Sequence, residues 1–146
     1  TVYQLTSLPA IADDTGLEVD ALNGRPGIYT ARYAGEYCSY TDNVNKMLTE
    51  MKDVPMKNRT AIFRTVMAYV DKNMELTSEG FVKGMIFDKI KGLGGFGYDP
   101  IFYVLEKNKT FAEMNIEEKN LVSHRSRAIK ALRADLVSNL KLKENA

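Results

Sequence analysis

Two aspartates stand side by side at Asp13 and Asp14, followed by Thr15 and Gly16, in a run that reads ADDTGLEVD from Ala12 to Asp20. A carboxylate beside a threonine hydroxyl and a glycine suits a Mg²⁺ and phosphate site. Mg²⁺ takes only one or two protein carboxylates and leaves its other positions to water and phosphate oxygens. The same residue types also build an ordinary hydrogen-bonded turn. Successive side chains on a strand point to opposite faces, so the pair cannot share one cleft unless the strand has broken. If one carboxylate is catalytic, the other is expected to support the loop by accepting backbone N–H bonds.

A second candidate is Gly92-Leu93-Gly94-Gly95-Phe96-Gly97-Tyr98-Asp99-Pro100. It satisfies G-x-G-x-x-G, but a dinucleotide-binding fingerprint needs a helix to open inside the glycines. Pro100 pushes Asp99 out of the helical region instead. Two readings remain. In one, an exposed glycine loop lets backbone approach a ligand and offers Phe96 or Tyr98 to stack on a flat base. In the other, a wide hairpin packs those aromatics inward. The third candidate is Ser123-His124-Arg125-Ser126-Arg127. Cations at a helix N-terminus oppose its dipole by about 0.3–1 kcal/mol each. An anionic or carbonyl-bearing ligand would resolve that conflict. The alternative is one unbroken helix from Ile116 with these residues solvated. Lys119, about one turn before His124, is a surface lysine when taken alone. Together the four stretches describe a metal-competent carboxylate, a stacking loop and a cationic cluster, as an enzyme handling a nucleoside triphosphate requires.

The elements that must carry these residues follow from pattern. Leu8 to Ala12 is expected to form a short buried strand that ends at the aspartates. Gly24-Arg25-Pro26-Gly27 signals a turn and Tyr29 to Tyr37 an aromatic-rich loop. Thr41 is a candidate N-cap for a helix bearing Val44, Met47, Leu48 and Met51 and stopping near Pro55. Thr60 to Val70 and Glu79 to Lys89 read as strands, joined as a hairpin through Asp71-Lys72-Asn73. Ile101 to Leu105 reads as a further strand. Asn115 and Glu118 form a capping-box pattern, so a helix starts at Ile116. From Ser126 onward Ile129, Leu132, Leu136, Val137 and Leu140 keep helical spacing. The mixture predicts an α/β or α+β domain with a central sheet.

The totals narrow the field. The chain has 146 residues, 45% hydrophobic and 27% charged, which suits one domain with a buried core. A net charge of +1 gives no reason to expect nucleic acid as a partner. Cys38 is the only cysteine, so no intrachain disulfide forms, which favours a reducing compartment. No apolar run reaches the roughly 18–20 residues that span a bilayer. The start TVYQLTSLPA lacks a signal-peptide pattern, and a cytoplasmic location is expected.

Three segments in order, ADDTGLEVDALNGRPGIYTARYAG, GGFGYDPIF and EEKNLVSHRSRA, resemble the inosine triphosphate pyrophosphatase family, the non-canonical purine NTP pyrophosphatases. The resemblance runs from about Leu8 to Leu136. It implies Mg²⁺-dependent hydrolysis of inosine, deoxyinosine and xanthosine triphosphates to the monophosphate and pyrophosphate. It implies Asp14 as the general base that also contacts the metal, and Thr15 as a substrate contact. Phe96, Gly97, Tyr98 and Asp99 would line the nucleotide site, and Lys119, His124 and Arg125 would complete it around the base. The implied fold is α/β, an elongated mixed twisted sheet flanked by helices in two lobes about a central cleft, in a cytosolic homodimer. The family's opening strand, its Ser/Thr-Gly-Asn…Lys phosphate loop and its metal-binding glutamate have no counterpart here. Residues 1–146 are therefore expected to form one N-terminally truncated domain, with a catalytically inactive nucleotide-binding or dimerising fragment as the alternative. An acidic-motif phosphatase is the rival chemistry.

Overall fold

The computed structural model describes the backbone of residues 2–144 and the side chains of residues 2–140; Thr1 and residues 145–146 of the expected domain lie outside it. A short helix α1 (Val2–Thr6) precedes strand β1 (Ala10–Val19) and the two-residue strand β2 (Pro26–Gly27). Helix α2 (Tyr40–Glu50) leads to the long strands β3 (Thr60–Val70) and β4 (Glu75–Ile86). Strands β5 (Phe102–Val104) and β6 (Lys109–Thr110) are followed by helices α3 (Ile116–Val122) and α4 (His124–Glu144). The strands form one open sheet in the order β2-β1-β3-β4-β5-β6, every pair antiparallel. The expected α/β class holds, with the described strands antiparallel throughout.

β3 and β4 are the hairpin that the sequence predicts. Asp71 Oδ1 closes its turn by accepting the N–H groups of Asn73 at 2.6 Å and Met74 at 2.9 Å. The β4 arm begins four residues earlier than expected, because pairing continues down to Val70 opposite Glu75, and it stops at Ile86, short of Lys89. β1 departs more from expectation. It does not end at the aspartates but runs through them to Val19, paired residue by residue with β3 from Ala10↔Val70 to Val19↔Ala61. Nor is its start buried: Ile11 to Asp14 are exposed, and burial begins only toward Leu17 and Val19. Its outer edge meets β2 only at Leu17 and Glu18, so Ala10–Gly16 is an open edge among the described residues.

One face of the sheet carries the core. Phe63 of β3 packs its ring 4.6 Å from Phe102, which stacks 5.4 Å from Phe111. α2 starts two residues earlier than the sequence suggests. Ser39 rather than Thr41 caps it, because Ser39 and Asp42 exchange side-chain and backbone hydrogen bonds across the first turn. Arg59, 4% exposed, ties the end of α2 to the sheet by donating to the carbonyls of Met51, Val54 and Phe87. The capping box of Asn115 and Glu118 opens α3 as expected.

α3 and α4 are two helices and not one. Ser123 between them is extended (φ −64°, ψ 149°), which rules out the unbroken helix from Ile116. α4 then lies on β3 and β4, burying Ala128 and Leu132 beside Met67. Leu136 is only half-buried, while Ile129, Val137 and Leu140 stay exposed, so little of its expected apolar stripe is covered. No helix among the described residues is long and apolar enough to cross a membrane.

Candidate active site

A cavity of about 630 Å³ opens where β1, the glycine loop, and the ends of α3 and α4 meet. That volume lies in the range of small-molecule sites. Thr15 is on its floor, where the Thr15 and Thr65 hydroxyls share a 2.7 Å hydrogen bond. Phe96, Gly97, Tyr98 and Asp99 come in from the loop, and Lys119, His124 and Arg125 from the helices. The fold therefore collects almost all of the expected site residues into one place.

The exception is Asp14. It lies on β1 opposite Val66, and strand alternation points it away from Asp13 and Thr15, to the face that carries Glu18. Its side chain is exposed and does not line the cavity. Asp13 faces the cavity side, but it does not support a loop through backbone N–H bonds. Arg125 Nε donates to Asp13 Oδ2 at 2.8 Å.

The glycine loop divides its aromatics between the two readings. Phe96 is presented, 54% exposed. Tyr98 is packed inward, its hydroxyl donating to the Thr30 carbonyl at 3.0 Å, and burial pushes its phenol well above the ordinary range. Asp99 is buried and satisfied by protein: its Oδ2 accepts the Phe96 N–H at 2.8 Å and the Lys119 ammonium at 2.5 Å. A Cβ on Gly95 would collide with that carboxylate, so only glycine lets the loop fold over it. Lys119 also lies 4.7 Å from the Phe96 ring centroid and 5.3 Å from that of Phe111, a cation–π arrangement that holds the loop to α3.

The conflict of three basic residues at the start of α4 is settled within the protein. Arg125 pairs with Asp13, while Arg127 bonds Glu106 and the Phe81 carbonyl. His124 is uncharged near neutrality. Burial, then the charges of Arg125 and Lys119, lower its imidazole to about 4, with Asp13 opposing. Its ring stacks 4.7 Å from Phe63. Its Nδ1 is buried and has no hydrogen-bond partner among the described residues.

Sequence reasoning passed over part of the wall. Tyr40, at the start of α2, sets its ring 6.2 Å from Phe96 across the mouth. Asn43, 1% exposed, accepts the Ala34 N–H at 2.7 Å and donates to the Ala31 carbonyl at 3.1 Å, fixing the preceding loop. A polar residue at a core position of α2 was the available signal. Among the described residues, no group of three or more His, Cys, Asp or Glu stands where it could hold a metal ion.

The model of the Ham1 family matches residues 1–135. The chain belongs to that family. This Ham1-family chain is 50% identical over 133 residues to the dITP/XTP pyrophosphatase of Geobacter sulfurreducens, covering 90% of this chain and 67% of the relative. It is 51% identical over 128 residues to that of Desulforamulus reducens, covering 87% and 64%. It thus spans about two thirds of the length of these curated relatives. The Staphylococcus aureus Ham1 protein superposes with a TM-score of 0.88 at 44% identity, over 93% of this chain and 70% of that one. A Ham1 protein from Coxiella burnetii gives 0.85 at 38% identity, over 91% and 69%. The resemblance seen in the three motifs therefore extends well beyond them, through residues 1–135.

Proposed function

We propose that this chain hydrolyses non-canonical purine nucleoside triphosphates, those of inosine, deoxyinosine and xanthosine, to the monophosphate and pyrophosphate, as nucleotide-pool housecleaning. The observation that carries the reading is the cavity: an exposed aromatic ring, a neutral histidine and two cationic side chains around a space fit for a nucleoside. The names of the relatives agree with it. Hypoxanthine and xanthine carry an acceptor oxygen at C6, where adenine carries an amino donor. Donors from Arg125, from His124 or from backbone N–H groups match the oxygen and reject the amine. A site built to bond one group discriminates against its mismatch by up to about 10⁴. Phe96 stacks on the base, Thr15 contacts substrate, and Asp99 keeps Phe96 and Lys119 in place.

Water attacks the α-phosphorus, the bond to the bridging oxygen breaks, and pyrophosphate leaves. Asp14 takes the proton from that water. Its reach depends on the open edge of β1: a triphosphate laid across Ala10–Gly16 meets Thr15 on one face of the strand and Asp14 on the other. A lone exposed carboxylate also fits Mg²⁺, which needs one or two carboxylates when phosphate oxygens supply the rest. Asp14 would hold the ion, which screens the phosphate charge when bound. A cytoplasmic homodimer belongs to the same proposal and rests on the family resemblance.

A second reading, nucleotide binding without turnover, is favoured by the place of Asp14 on the face away from the cavity. The test is to incubate the purified chain with Mg²⁺ and inosine or adenosine triphosphate, assaying pyrophosphate and phosphate separately. Pyrophosphate from the inosine substrate alone supports hydrolysis of this class. Binding with no product supports the second reading. Release of inorganic phosphate instead would indicate an acidic-motif phosphatase and overturn both.

A further inference from the structure

The ion pair between Asp13 and Arg125 joins residues 112 apart in sequence and ties the cavity-side face of β1 to the first turn of α4. It engages only Nε of the guanidinium. Among the described residues the two terminal nitrogens of Arg125 have no protein partner, although Arg125 lines the cavity. A carboxylate fixed to one edge of a planar, five-donor group sets the plane of that group and leaves the other donors free. Asp13 is itself held firmly, because β1 pairs with β3 on both sides of it and Thr15, two residues on, is locked to Thr65. A cation in the first turn of a helix is disfavoured by the helix dipole, so without Asp13 the Arg125 side chain has reason to swing out to solvent.

We propose that Asp13 is a positioning residue for base selection: it holds Arg125 so that its unpaired donors meet the acceptor oxygen at C6 of the purine. This rests on the reading of the cavity as a purine-nucleotide site. The adjacent aspartates then have separate tasks because strand alternation gives them opposite faces. Asp13 serves selection on the cavity side, and Asp14 serves the phosphates.

The test measures binding of inosine and adenosine 5′-monophosphates by titration calorimetry to the wild-type chain, to Asp13→Asn, Asp13→Glu and Arg125→Ala, and to the double variant Asp13→Asn/Arg125→Ala. Asp13→Asn is expected to lower the inosine-over-adenosine preference about tenfold, the scale of coupling between directly contacting groups. Asp13→Glu should restore much of it, and the double variant should be no less selective than Arg125→Ala alone. A merely structural role would weaken both ligands equally and leave the ratio unchanged. If Arg125→Ala abolishes the preference while Asp13→Asn keeps it, the positioning role is overturned and the cavity reading stands. If the wild-type chain binds neither nucleotide, or binds both alike, the cavity reading fails and the positioning role falls with it.

Discussion

Replacing Gly80 by alanine sets two physical effects against each other, and the structure says which wins. Glycine in a strand interior is destabilising by about 0.5–1 kcal/mol relative to alanine, so on propensity alone Gly80→Ala should stabilise. Gly80, however, lies under the first turns of α4, opposite Thr65 on β3. A Cβ there would overlap Ala128 N and the His124 carbonyl oxygen and come within 2.8 Å of the Arg127 carbonyl carbon. Carbon–carbon contact needs about 3.5–4.0 Å, so the helix must retreat by about 1 Å. Backbone atoms cannot rotate aside as a flexible side chain does. Overpacking of this kind costs about 1–3 kcal/mol, and for a domain of this size each kcal/mol lowers the Tm by about 3 °C. The same retreat carries His124 and Arg125 with it, and a displacement of about 1 Å at a site costs on the order of 10²-fold in function. Thermal unfolding and inosine monophosphate binding, measured on one preparation, check both parts. A variant as stable as the parent or more so, with unchanged binding, would refute the argument that contact between α4 and Gly80 places the site.

Asp14→Asn should lower turnover by about 10²–10⁴, the share of a general base, with the Tm unchanged because the exposed carboxylate has no side-chain partner among the described residues; steady-state pyrophosphate release and a melting curve measure the two. His124 has a folded pKa near 4, below its ordinary 6.5, so its contribution is complete above about pH 6.5 and is lost as pH falls toward 4. The loss reaches about 3 kcal/mol, and urea midpoints at pH 7 and pH 5 should diverge less in His124→Phe than in the parent. Asp99→Asn should destabilise by about 1–3 kcal/mol, since it weakens the acceptor of the Lys119 ammonium and an anchor of the Phe96 loop. Denaturant unfolding reads that cost, and nucleotide affinity should fall with it.

Features settled within a few residues of chain were legible in the sequence. The Asn115–Glu118 capping box needs only its own first turn, and the Asp71 turn only its own amides, so both appear where pattern places them. Alternation puts Asp13 and Asp14 on opposite faces only if both lie on one strand, a condition that the sequence left open. The three motifs, in order, also pointed to the family whose model matches residues 1–135. Partners distant in the chain decided the rest. β1 continues through the aspartates because β3 offers a partner for every residue, a pairing that outweighs the turn preference of Asp and Gly. Tyr98 turns inward because Thr30, 68 residues earlier, accepts its hydroxyl, while Phe96 has no such partner and stays exposed. His124 is uncharged because it is stacked on Phe63 beside two cations, and no local pattern specifies that burial. The pairing of Arg125 with Asp13 across 112 residues is of the same kind. Local hydrogen bonds and alternation are written in the order of residues, but burial and charge pairing exist only once the sheet and α4 have closed on each other.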